Sequence, residues 1–197
     1  MSKPRIVVVG GGAGGLPLVT KLGAKLGKYG NADITLVDSS NIHVWKPRFH
    51  EVATGAIDAD LDAVDYRAHA QLNHYRFEPG TLTQVDTTGQ TLTLAPLHDA
   101  HGSEVLPERK LSYDYLVLAT GSQSNDFGTP GVRDNCLFMD SRAQAERFRE
   151  RFLNACLHAN HESKPVSVAI VGGGATGVEL AAELHHAVSM LNFYAVS

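Results

Sequence analysis

Two short stretches hold the residues whose types and spacing can do chemistry. RIVVVGGGAGGLPLVTKL, Arg5 to Leu22, places Gly10, Gly12 and Gly15 in G-x-G-x-x-G spacing after a β-branched run. VAIVGGGATGVELAAEL, Val168 to Leu184, repeats the device with Gly172, Gly174 and Gly177. Nine of the 19 glycines fall in these stretches, so the glycine excess over an average of about 14 for this length is local. Such spacing is suited to a pyrophosphate cradle. The first glycine permits a tight turn, the second lets backbone approach the phosphates, and the third lets helix and strand pack closely. The phosphates then rest on the free N–H groups and positive dipole end of the helix. In the first stretch an acid, Asp38, ends the next apolar run, where it can bond an adenosine ribose. The second stretch has no such acid, because its place is the end of a strand that the 197 residues do not include. Its spacing therefore predicts cradle geometry without a complete dinucleotide grip. The plain alternative, for either stretch, is a glycine turn that joins a strand to a helix and binds nothing.

The surrounding elements must position these loops. Ile6 to Val9 and ADITLVD (Ala32 to Asp38) read as buried parallel strands, with Leu16, Val19, Leu22 and Leu26 spaced as one face of the helix between them. That is a βαβ unit with a right-handed crossover. The stretch from Ser39 to Asp58 reads as irregular, followed by a helix over about 65–73. From Tyr75 to Ser112 the alternation of Thr with apolar residues about Thr88-Gly89 predicts an antiparallel ribbon. YLVLATG, Tyr115 to Gly121, reads as another buried parallel strand, whose small residues Ala119, Thr120 and Gly121 can pass close to a bound cofactor. SQSNDFGTPGVRDN marks a boundary, so the chain is expected to divide into 1–125 and 126–197. Ser141 and Gln144 form a capping box opening a helix to about His161, with Phe148 and Phe152 inward. KPVSVAIV predicts a buried strand, and a helix follows over about 175–191.

Composition narrows the function. A net charge of -4, with lysines and arginines scattered, gives no footprint for nucleic acid. Cys136 and Cys156 stand apart, as free thiols of a reducing, cytoplasmic setting. The N-terminal apolar run is too short for a signal peptide, and no stretch reaches the ~18 apolar residues of a membrane span. His98-x-x-His101 and His185-His186 have no ligand partners at metal spacing and read as surface histidines, so no metal site is assigned.

Three segments together resemble the two-dinucleotide-binding flavoprotein disulfide-reductase superfamily, and within it the type II NADH dehydrogenases: HVWKPRFHEVATG, YLVLATGSQSNDFGTPGV and IVGGGATGVELAAEL. The resemblance implies an α/β chain. Its parts would be a Rossmann-like FAD-binding domain with an antiparallel β ribbon and the first βα unit of a second Rossmann-like domain for NAD(P). It implies FAD pyrophosphate at Gly10 and on the amides of Gly12, Ala13, Gly14 and Gly15, with Asp38 at the ribose, although the family often has Glu in place of Asp38, and Ser39 among the cofactor-binding residues. Lys46 and Pro47 would lie along the flavin end, Val85 would offer its backbone to the adenine, and Ala119, Thr120 and Gly121 would pass near the pyrophosphate. Gly172, Gly174, Ala175, Thr176 and Gly177 would form the NAD(H) cradle. Glu179 corresponds to a helix glutamate facing the nicotinamide and flavin, or it is only a carboxylate on an interdomain helix.

The implied activity is hydride transfer from NADH to FAD and two-electron delivery to a quinone, with no side chain acting as a nucleophile. The implied setting is cytoplasmic, or peripheral on the cytoplasmic face of the inner membrane through an amphipathic C-terminal part that the 197 residues do not include. A homodimer is left open. The chain is expected to be a piece that does not turn over alone. A disulfide reductase would place a redox cysteine pair near the flavin segment, and residues 38–60 contain none. A sulfide:quinone oxidoreductase-like flavoprotein and an inactive nucleotide-binding module are the remaining alternatives.

Overall fold

The computed structural model describes residues 2–61 and 63–193. In chain order the elements begin with β1 (Arg5–Val9), α1 (Gly15–Leu22), β2 (Asp33–Asp38) and β3 (Ile42–His43). They continue with α2 (Phe49–Thr54), β4 (Val64–Asp65), α3 (Tyr66–Leu72), β5 (Arg76–Pro79), β6 (Leu82–Asp86) and β7 (Thr91–Leu94). There follow β8 (Leu97–His98), β9 (Glu104–Leu106), β10 (Arg109–Ser112), β11 (Tyr115–Leu118), α4 (Val132–Asn135), α5 (Arg142–Glu162) and α6 (Ala175–Phe193). They fall into two compact units, Met1–His43 with Ala63–Gly121, and Val44–Asp62 with Ser122–Ser197.

The first unit is layered about a parallel sheet in the order β11-β1-β2-β5. Residues alternate between the two faces of a strand, and both faces of the central β1 and β2 are covered, whereas β11, expected to be buried, is an edge strand with Tyr115 64% and Leu118 58% exposed. Val8, Ile34 and Leu36 pack against Leu16 and Val19 of α1 and against Tyr66 and Ala70 of α3. Val7, Val9 and Val37 pack against Leu92, Leu94 and Tyr113, which belong to or border a three-stranded antiparallel sheet, β10-β7-β6. Double burial explains why β1 and β2 read as continuous apolar runs. Each fully buried Val or Leu contributes about 1.5–3 kcal/mol of transfer free energy. The expected ribbon is present around its turn, but Arg76–Pro79 is not part of it. That segment is the edge of the parallel sheet, pairing with Thr35–Asp38. Phe77 tucks its ring 5.2 Å from that of Tyr66, and Pro79, which has no N–H to donate, ends the edge strand, where it is tolerated.

The second unit is helical. The stretch expected to be irregular contains α2, entered through a 3-10 turn at Lys46–Arg48 and ended by Gly55 in the left-handed conformation at φ 81°. Six residues are too few to show a period. What makes them a helix is tertiary: Phe49, Val52 and Ala53 pack with Ala145, Phe152, Leu180 and Leu184. α5 begins at the expected capping box, with Gln144 N–H donating to Ser141 Oγ at 3.3 Å and Ser141 N–H donating to Gln144 Oε1 at 3.1 Å. The Phe148 and Phe152 rings stack at 6.1 Å.

The buried strand expected over KPVSVAIV does not form. Residues 164–171 carry no strand pairing, and Val168 and Val171 are 44% and 87% exposed. A parallel strand is stable when neighbours take its N–H and C=O groups and cover both faces. Among the described residues none pairs with this segment. No helix among them is long and apolar enough to cross a membrane.

Candidate functional site

The first glycine loop leaves β1 and enters α1. Gly10 has φ 99°, and a Cβ there would stand 2.3 Å from the Ala119 carbonyl oxygen. A Cβ on Gly15 would stand 1.8 Å from the Gly10 oxygen. Both positions therefore require glycine for packing. Gly12 and Gly14 differ, since a Cβ on either would meet nothing within 4 Å. Open space lies over the middle of the loop, at the head of a helix whose N-cap, Gly14, supplies no side-chain hydrogen bond. The first N–H groups of a helix lack intrahelical acceptors; here Leu16 N–H donates to the Gly12 carbonyl and Pro17 has no N–H, so an anion at this helix head depends on the amides that precede Leu16. An opening at a helix N-terminus suits an anion such as a pyrophosphate.

Three further groups brace the loop. Gly10 N–H donates to the Val37 carbonyl at 2.8 Å. Asp38, at the end of β2, accepts from Gly11 N–H at 2.6 Å and from Ser40 N–H at 2.8 Å. Its carboxylate thus couples the strand end to the loop, with exposed Ser39 beside it. Tyr66 was not foreseen. Its hydroxyl donates to the Gly11 carbonyl at 2.7 Å, and its ring fills the space a Gly11 Cβ would need. The hydroxyl also lies 3.4 Å from Nδ1 of His43. Both rings are buried. Burial pushes the Tyr66 phenol well above its usual range, helped by the Asp38 charge. Burial likewise holds the His43 imidazole below the usual histidine range, against an opposing hydrogen bond with the Gly11 backbone. Nothing in the local sequence around Tyr66 marks it, because its role depends on where α3 packs.

The second loop repeats the first in its own geometry. Gly172 has φ 108°, a Cβ on Gly177 would stand 2.1 Å from the Gly172 oxygen, and Gly173 and Gly174 face open space. Val178 N–H donates to the Gly174 carbonyl at 3.1 Å, as Leu16 N–H does to Gly12 at 3.1 Å. Ala175 and Thr176 open α6. The difference lies in what surrounds the loop. Gly10 is pressed by the Ala119 backbone, whereas a Cβ on Gly172 would meet nothing within 4 Å.

In the first unit, then, Gly10 to Gly15, Asp38 and Ala119 converge on one end of the parallel sheet, and Thr120 and Gly121 continue from it, Gly121 at φ 73°. Val85 sits half-buried on β6 opposite Leu92. In the second unit, Lys46 Nζ donates to the Ser122 carbonyl at 2.7 Å and pairs with Asp140 at 3.0 Å, and Pro47 lies in the 3-10 turn beside it. Burial opposes ionisation of Asp140, but hydrogen bonds from Ser124 and Lys46 hold its carboxyl below the usual range. Glu179, on α6, lies 3.5 Å from His50 of α2, a partner not foreseen from the sequence. Cys136 and Cys156 are both free thiols. Among the described residues no cluster of three or more His, Cys, Asp or Glu is placed for a metal.

Residues 4–192 match the family described as pyridine nucleotide-disulphide oxidoreductase. The chain is 44% identical to the type II NADH:quinone oxidoreductase of Haemophilus influenzae, covering 96% of this chain and 46% of that protein. It is 31% identical to the mitochondrial external alternative NAD(P)H-ubiquinone oxidoreductase B1 of Arabidopsis thaliana, covering 91% of this chain and 32% of that protein. The chain therefore spans less than half the length of these relatives. Among solved structures it is similar to NDH2 from Plasmodium falciparum in complex with NADH, at a TM-score of 0.77 and 23% identity, over 99% of this chain and 40% of that one. The sulfide:quinone oxidoreductase of Aquifex aeolicus shares the fold at a TM-score of 0.62 and 24% identity, over 81% of this chain and 33% of that one.

Proposed function

Because this chain belongs to the pyridine nucleotide-disulphide oxidoreductase family, we propose that it carries the flavin- and nicotinamide-binding devices of an NADH:quinone oxidoreductase. The observation that carries this reading is the pair of glycine loops with one internal geometry, Gly10 to Gly15 and Gly172 to Gly177. Two cradles in one chain suit electron transfer between two dinucleotides. We assign FAD to the first and NAD(H) to the second, dividing the chain at about 125 and 126. The relatives named above, at 44% and 31% identity, support NADH as donor and a quinone as acceptor. With a quinone as acceptor, the protein works at a membrane surface, on the cytoplasmic face.

FAD, when bound, supplies the two-electron redox chemistry between NADH and quinone. The chain's residues bind and orient. The amides of Gly12, Ala13, Gly14 and Gly15 would offset pyrophosphate charge, assisted by the α1 dipole. Asp38, already fixed by Gly11 N–H, is set to receive ribose hydroxyls. Tyr66 supports the loop from beneath. Lys46 is held within the second unit by Asp140 and by the Ser122 carbonyl. Glu179 stands at the head of α6, beside the second cradle.

The test is NADH oxidation by the flavin-loaded, full-length protein with a quinone acceptor. Steady turnover that needs both substrates is the expected result. Flavin reduction by sulfide but not by NADH would sink the proposal.

A further inference from the structure

The second unit brings an imidazole and a carboxylate together from α2 and α6. His50 is 9% exposed, and its Nδ1 is buried with no hydrogen-bond partner. The acceptor facing that nitrogen is Glu179 Oε2, at 3.5 Å. On the ring's other edge Nε2 lies 3.9 Å from Glu51 Oε1. That second carboxylate is already held by Arg48, whose Nε and Nη2 donate to it at 3.1 and 2.8 Å, and Arg48 keeps Glu51 below the usual carboxylate range. Among the described residues Glu179 has no other ion-pair partner, and about half of its side chain is in solvent.

A buried ring nitrogen left without a partner is costly. A small rotation of the half-exposed Glu179 side chain closes 3.5 Å to a charge-assisted hydrogen bond, which satisfies the nitrogen and fixes the carboxylate at once. We propose that His50 is a positioning residue for Glu179: its Nδ1–H donates to the carboxylate and holds it at the head of α6, two residues beyond Gly177. This rests on the reading of Glu179 as the carboxylate facing the nicotinamide. The Arg48–Glu51 pair explains the direction of the bond. With Glu51 already satisfied, Glu179 is the acceptor with charge to spare, so the ring proton is drawn to Nδ1.

Two measurements test the pair. In the 197-residue chain, 15N spectra of the neutral His50 ring should show the proton on Nδ1. In Glu179→Ala, a substitution to a strong helix former at an exposed helix site, the proton should shift to Nε2. An unprotonated Nδ1 in the wild type, or an unchanged spectrum in Glu179→Ala, overturns the pair. In the flavin-loaded, full-length protein, His50→Leu and Glu179→Ala should each slow flavin reduction by NADH about tenfold, and the double substitution should cost no more than either alone. His50→Asn, whose amide N–H stands near the place of Nδ1–H, should recover most of the loss. Single effects that multiply would overturn positioning. If the tautomer shifts in Glu179→Ala while flavin reduction is unchanged, the nicotinamide reading of Glu179 fails and the pair stands.

Discussion

Gly10 and Gly12 are two residues apart and should fail in opposite ways when given a methyl group. At Gly10 the backbone is left-handed and the new Cβ meets the Ala119 carbonyl at 2.3 Å. Strain and overpacking together predict a loss of roughly 2–4 kcal/mol for Gly10→Ala in urea unfolding. At Gly12 the methyl meets open space, so Gly12→Ala should keep stability within about 0.5 kcal/mol while abolishing FAD binding, read by flavin fluorescence. Equal destabilisation by both would mean the opening over Gly12 is not a ligand space. A second residue-scale prediction concerns His43, whose imidazole burial holds below the usual histidine range. The unfolded chain takes up that proton near the ordinary value of about 6.5, and the folded chain does so only at lower pH. His43 therefore contributes no penalty above that pH, and stability falls as pH drops from there towards the folded value. NMR should find the His43 ring still neutral at a pH where a solvent-exposed imidazole is charged. Ordinary titration would contradict its burial. The turn at Gly10 and the close packing at Gly15 were legible because both follow from spacing. Tyr66 and His43 were not, because what they touch is fixed by how α3 and β3 pack.

At the scale of elements, local signals were legible where an element is stabilised locally. Ser141 and Gln144 could be read as a capping box because four consecutive residues contain the whole device. Ser141→Ala should cost about 1 kcal/mol, measured by chemical denaturation, with the loss confined to the second unit. A full two-unit loss would show that α5 is not capped independently. Where tertiary partners decide, the sequence misled. Phe49–Thr54 is a helix because its apolar residues meet α5 and α6, and Arg76–Pro79 joins the parallel sheet because β2 offers it an edge. The segment 164–171 shows the converse. Its β-branched pattern matches that of Ile6 to Val9, yet Val8 is fully buried and Ile170 is 37% exposed. Hydrogen exchange should separate the two. Amides of Val7, Val8 and Val9 should be strongly protected, and those of Val168, Ala169 and Ile170 should exchange near the rate of an unstructured chain. Equal protection would mean that the segment has found a pairing partner, such as a second copy of the chain.

At the scale of the whole molecule, the two cradles differ in support rather than in design. The first is braced by Val37, Asp38, Tyr66 and Ala119. The second has the same turn with no backbone pressed against Gly172. Binding is strongest where the donors are already held in place, because ordering a loop at the moment of binding subtracts from the affinity. FAD should therefore stabilise this chain well before NADH does. A ligand at 100 times its dissociation constant adds about 2.7 kcal/mol to the state that binds it, which for a unit near 100 residues raises the melting temperature by about 10 °C or more. Scanning calorimetry with FAD should show that shift, and NADH at the same concentration should leave the transition nearly in place. Gly12→Ala should erase the FAD shift, and Gly174→Ala should not. If NADH gives the larger shift, or if Gly174→Ala rather than Gly12→Ala removes the response to FAD, the assignment of the two cradles is reversed.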